Sequence, residues 1–137
     1  MIGSAVKYIL EQNSAITSVI GSRIYPEYVP YFEGAELDDQ IPALVYTTNI
    51  TENTEAKCVD TTKFVGKVNV SLTIVSRSYS DVQNLVFEIW KTLQHKHFIY
   101  NNIRIKDIRF NSADDVFDSG SDTYMNTMTF TFSSVVS

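Results

Sequence analysis

The chain of 137 residues carries one cysteine, two histidines and five glycines, and it has no long apolar run. A lone Cys58 excludes an internal disulfide and suits a reducing compartment. No apolar stretch approaches the ~20 residues that a bilayer-spanning helix needs. Met1 to Asn13 is too short and too polar for a secretory signal, so the expectation is a protein neither exported by the usual route nor embedded in a membrane. Basic charge is scarce as well: eleven Lys and Arg stand against sixteen Asp and Glu, a formal net charge of −5. A protein that grips nucleic acid needs a basic stripe to replace the phosphate counterions, and the longest basic grouping here is only Lys91 to His97. Acidity is still compatible with a surface past which DNA merely slides, because repulsion keeps such a surface from sticking. The scattered glycines supply no phosphate-cradling loop, and no G-x-S-x-G or paired-carboxylate motif occurs.

What the chain has in quantity is periodicity. Val68, Val70, Leu72 and Ile74 alternate with Lys67, Asn69, Ser71 and Thr73, which predicts a half-buried strand from Phe64 to Ser76. Val82, Leu85, Val86, Ile89 and Leu93 then recur at helical spacing and form one apolar stripe. Ser80 is the candidate N-cap of that helix, Gln83 completes a capping box, and Asp81 adds favourable charge to the first turn. Upstream, Ala5, Val6, Ile9 and Leu10 predict a short amphipathic helix. Ser14 is the candidate cap of a second, carrying Ile16, Val19 and Ile20 inward, and Gly21 reads as the residue just past its end. Arg23 to Pro26 is a brief extended segment. Ile41 to Asn49 reads as a strand led in by Pro42, and polar Ile50 to Thr62 as a hairpin excursion. Phe98 to Tyr100, the turn Asn101-Asn102 and Ile103 to Phe110 predict either one further strand or a hairpin, with an alternation that slips between Ile105 and Ile108, the mark of a bulge around Lys106 and Asp107. Asn111 to Asp122 is acidic and rich in small residues, a loop, and Thr123 to Phe132 is the last strand.

One domain spanning residues 1–137 follows, without repeats or linkers. Its predicted class is α+β: an antiparallel four-stranded sheet with one main helix and a short N-terminal helix packed on one face. Two stretches are candidate interfaces. Glu27 to Gln40 reads as an exposed loop, yet it carries Tyr28, Tyr31 and Phe32, aromatic anchors that pack either on their own domain or on a neighbour. The last strand places Thr127, Thr129 and Thr131 opposite Met128, Phe130 and Phe132, on a face that meets either water or another subunit. The long strand from Phe64 exceeds the usual ~5–6 residues, leaving one end to project or to pair with another chain.

Candidate chemistry is thin. His95 and His97 form an H-x-H pair that lacks the third and fourth ligands of a zinc site, and they read as favourable charge at a helix end. Asp114, Asp115, Asp118 and Asp122 surround Gly120, but their spacing is not that of a calcium loop and no glutamate closes it. Cys58 lies in a polar segment with no histidine nearby to activate it. Trp90 reads as boundary packing beside the helical stripe. No catalytic, metal-binding or cofactor-binding residue is assigned, and the expectation is a protein that is not an enzyme.

Three segments in order carry a resemblance. Gly21-Ser22-Arg23-Ile24-Tyr25-Pro26 is similar to the G-x-R-I-Y-P opening of the tail-completion, or tail-terminator, proteins of long-tailed bacteriophages. Ile41-Pro42-Ala43-Leu44-Val45-Tyr46 resembles the proline-led first strand of that family. Val70 to Ser76, Tyr79 and the helix through Leu93 resemble its strand-to-helix core. The resemblance implies a non-catalytic structural subunit, with no cofactor, that forms a ring, commonly a hexamer, at the head-proximal end of the tail tube. Its partners would be copies of itself, the tail tube protein and the head–tail connector protein. Genomic DNA would only pass through the lumen. The implied location is the virion neck, assembled in the host cytoplasm. The alternatives are another head–tail connector component, or a small-ligand or host-factor binding domain walled by the aromatic loop.

The helical stripe is directly testable. Leu85→Asp places a charge in the core and should lower the melting temperature sharply, by roughly 3 kcal/mol or more of stability. An unchanged melting temperature would show the stripe to be misassigned.

Overall fold

The computed structural model describes residues 2–27, 41–53 and 64–136. Among the described residues three helices, α1 (Ile2–Glu11), α2 (Ser14–Ile20) and α3 (Tyr79–Leu93), accompany six strands. The strands are β1 (Ile24–Pro26), β2 (Ala43–Asn53), β3 (Phe64–Ser76), β4 (Phe98–Tyr100), β5 (Ile103–Asp118) and β6 (Thr123–Val136). They form one curled sheet in the order β1-β2-β3-β6-β5-β4.

This sheet corrects the expected four-stranded antiparallel one in both number and kind. Short strands β1 and β4 close its two edges, and β1 runs parallel to β2, so the sheet is mixed. Both additions are three residues long and are specified by what they lie beside, not by any period of their own. A second correction concerns β5. Residues 111–118, expected as loop, continue the strand and pair with β6 as far as Asp118↔Thr123. The expected bulge is present as a register shift between Ile105 and Asp107, and a second lies between Phe110 and Ser112. The long strand β3 has no unpaired end: β6 pairs with it from Phe64↔Val136 to Ser76↔Tyr124, and β2 runs along its other side. Its length is used inside the subunit.

Alternation decides which face is core. Val68, Val70, Leu72 and Ile74 of β3 are buried, as are Met128, Phe130 and Phe132 of β6 and Ile103, Ile105 and Ile108 of β5. The helices cover this face. Val82, Leu85, Ile89 and Leu93 of α3 and Ala5, Val6, Ile9 and Leu10 of α1 join the same apolar cluster. Register stacks matching rows, so that Val70, Phe130 and Phe110 lie side by side across three strands. The Phe110 and Phe130 rings meet edge-on at 5.5 Å.

The helix ends differ in detail from the expected ones. Ser78, not Ser80, caps α3: its backbone is extended and its Oγ accepts from the Asp81 N–H at 3.3 Å. Asn13, not Ser14, caps α2, accepting from Ala15 N–H at 2.8 Å. Asn13 also donates to Thr92 Oγ1 at 2.7 Å and so ties α2 to α3, which a serine there is too short to do. Gly21 ends α2 at φ 57°, a backbone that side-chain-bearing residues rarely adopt. Gly3 allows the Tyr46 ring to pass within 2.8 Å of where a Cβ would stand, which seats α1 on β2.

Two of the segments that carry the resemblance, Gly21 to Pro26 and Ile41 to Tyr46, are joined through one side chain. Arg23 Nε donates to Pro42 O at 2.8 Å and Nη2 to Val19 O at 3.0 Å, linking α2 to the start of β2 while β1 pairs with β2 from Ile24↔Leu44. The Gly-x-Arg-Ile-Tyr-Pro pattern is thus a folding device here. Arg23→Ala should cost about 2 kcal/mol, the net worth of charged hydrogen bonds in a half-buried place. Chemical denaturation measures this, and a loss indistinguishable from zero would show that the clamp contributes nothing.

Candidate interaction surfaces

On the face of the sheet away from the helices, the centre is built of hydroxyls and amides. Asn69, Ser71 and Thr73 of β3 stand beside Thr131, Thr129 and Thr127 of β6. The Thr73 and Thr127 hydroxyls lie 3.2 Å apart, and Ser112 Oγ and Thr129 Oγ1 lie 2.7 Å apart. Asn111 Nδ2 donates to Thr131 Oγ1 at 2.8 Å, and that hydroxyl donates to Asn69 Oδ1 at 3.1 Å. These threonines are half-buried by their neighbours alone. Their hydrogen-bonding capacity is largely spent within the sheet, so the face presents methyl groups and satisfied polar atoms. Beside it, Lys67, Asn69, Asp107, Arg109, Asn111 and Thr131 line an open depression of about 300 Å³.

The far end of the β5–β6 hairpin is the second surface, and sequence reasoning missed it. Asp115 anchors it. Its carboxylate accepts from Asn126 Nδ2 at 2.6 Å, from Gln83 Nε2 at 3.1 Å and from the Tyr79 hydroxyl at 3.4 Å, which fastens the hairpin to the first turns of α3. Gln83, expected to close a capping box, serves here instead. Phe117 lies on Tyr124 with ring centroids 5.0 Å apart, and Tyr124 meets Tyr79 at 5.4 Å. Asp118 holds the turn. Hydrogen bonds from the Ser121 hydroxyl first, then from the Gly120 N–H, keep its carboxyl below the ordinary carboxylate range. Because the folded value is lowered, this group supports the turn above its unfolded pKa, and the support is lost as pH falls through the folded one. A signal was available: Val116-Phe117 and Tyr124-Met125 flank a Ser-Gly-Ser-Asp turn, the pattern of a hairpin.

The remaining candidates come apart. His95 faces Asp107 at 3.4 Å and Gln94 at 3.2 Å, and both histidines are exposed. Among the described residues no three His, Cys, Asp or Glu side chains are grouped to hold a metal ion. The aspartates of the supposed loop point to different tasks: Asp115 to α3, Asp118 to its own turn, and Asp122 to Arg77 at 4.0 Å. Trp90 is 40% exposed and stacks on Phe87, itself 56% exposed, at 6.4 Å. Tyr28, Tyr31, Phe32 and Cys58 lie outside the described residues. No described helix is long and apolar enough to cross a membrane.

Comparison with known proteins gives a fold and no family. No family model matches the sequence, and no curated protein does. Among solved structures, a chain from the virion of a native gene transfer agent (GTA) particle superimposes with a TM-score of 0.74 at 10% identity. The match covers 98% of this chain and 94% of that one, so the two share one fold from end to end.

The anchoring role of Asp115 separates it from its neighbour. Asp115→Ala leaves the nearly buried Asn126 amide without its acceptor and should cost about 1–2 kcal/mol. Asp114→Ala, at an exposed position, should stay within about 0.5 kcal/mol. Equal melting temperatures for the two variants would contradict this assignment.

Proposed function

We propose that this chain is a structural subunit of a phage-type virion, acting as a ring at the head-proximal end of the tail tube, where it stops tube growth and joins the tail to the head connector. The observation that carries the reading is the end-to-end fold likeness to a virion component. The finer role rests on the resemblance of Gly21 to Pro26, Ile41 to Tyr46 and Val70 to Leu93 to tail-completion proteins. Size and fold fit an assembled part. The subunit partners would be further copies of itself, as a hexamer, with tube protein on one side and connector protein on the other. The net charge of −5 suits a lumen that DNA crosses without binding. On this reading the protein is not an enzyme and needs no cofactor, and its place is the virion neck, reached by assembly in the host cytoplasm.

Electron microscopy of tail tubes polymerised with and without the protein tests this. The expected result is a terminal ring on each capped tube and an arrest of elongation. Tubes that lengthen normally and carry no ring in its presence would remove the terminator role. Binding to connector complexes but not to tubes would favour a neighbouring connector component instead.

A further inference from the structure

Strand β5 carries two unlike exposed patches at its two ends. Beyond Phe110 no described strand covers its outer edge, because β4 pairs only with Ile103 to Ile105. Gln94 and His95 take up the edge at Phe110 and Ile108, and every residue from Asn111 to Gly120 is exposed. In such an edge every second N–H and C=O faces outward without a ladder partner, a template for another strand. Pairing with Thr127, Met125 and Thr123 puts Asp114, Val116 and Asp118 on the face away from the helices. They make an acidic stripe around an apolar side chain that is 55% exposed.

The other end has the opposite character. Ile99 of edge strand β4 is 65% exposed. It pairs with Arg104, which in turn pairs with Val135, so both lie on that same face. His97, Ile99, Arg104 and Lys106 line an open cleft of about 630 Å³. An apolar group ringed by acids at one end thus answers an apolar group ringed by bases at the other. At ~3.3 Å per residue the strand holds Val116 about 35 Å from Ile105, so one subunit cannot satisfy its own complement.

We infer that the unpaired acidic edge of β5, Asn111 to Asp118, docks on the basic cleft around β4 of a second copy of this chain. The β4 strand of that copy extends the sheet, Val116 meets the apolar floor at Ile99, and Asp114 and Asp118 face Arg104 and Lys106. The complementarity on the chain's own surface selects a second copy as the occupant, since each copy presents both halves. This deepens the ring reading above by naming the surface through which subunits meet, and it rests on the reading that copies assemble.

Two variants test it: Asp114→Lys with Val116→Lys, which reverses one charge and replaces the apolar contact by a second charge at the acidic end, and Arg104→Glu with Lys106→Glu, which reverses the cleft. None of these side chains has a packing role in the core. Circular dichroism should show both variants folded, and sedimentation at low salt should show each self-associating roughly tenfold or more weaker than the unaltered protein. Mixing the two variants should restore association, because each then offers the other a matched pair. Variants that assemble like the unaltered protein, a mixture that stays dissociated, or an unaltered protein that remains monomeric at its solubility limit would each overturn the docking. Intact rings from the variants would overturn it while leaving the ring reading standing. Charge-dependent closed dimers would support the docking and count against the ring.

Discussion

The alternation shared by β3, β6 and β5 is the constraint on which everything else depends. Three long strands in fixed register place Val70, Phe130 and Phe110 on one face and Ser71, Thr129 and Ser112 on the other. A slip of one residue would send phenylalanines to solvent and threonines to the core, so the pairing is locked by burial. The helices add to this arrangement without deciding it. Their stripes need an apolar sheet to cover, and the sheet supplies one face only.

That lock also frees the edges. Because β2 and β6 flank β3 along its length, the long strand that looks most available for a neighbour is the one most enclosed. Availability moves outward to β5, whose sixteen residues outrun the three of β4. The Asp115 contacts with Asn126, Gln83 and Tyr79 keep the outrunning part upright. A strand held rigid and left unpaired on one side is suited to assembly, since little ordering entropy remains to be lost when a partner joins it.

Local periodicity made much of this legible from the residues. The alternation of β3 and β6, the stripe of α3 and the bulge at Lys106-Asp107 all follow from side-chain spacing within one segment. What escaped depends on distant residues. Strand β1 exists because β2 lies beside it, and Asn111 to Asp118 is strand because β6 pairs with it. Its aspartates and small residues resemble a loop because both its faces are exposed there. Ser78 and Ser80 carry the same hydroxyl two positions apart, and only the extended backbone at Ser78 decides which one caps. For the candidate interfaces, alternation found the face of Thr127, Thr129 and Thr131 but not that these hydroxyls are partnered within the sheet. The acidic edge was hidden by the loop assignment, and the aromatic loop lies beyond the described residues.

On the proposed reading, this protein acts by assembling along its sheet edge and not through a pocket. Hydrogen exchange compared between the free subunit and the assembled particle tests it most directly. The amides of residues 111–118 that face away from β6 should exchange quickly in the free subunit and become strongly protected on assembly, while Val70 and Phe130 are slow in both. Equal, fast exchange of those outward-facing amides in both states would contradict it.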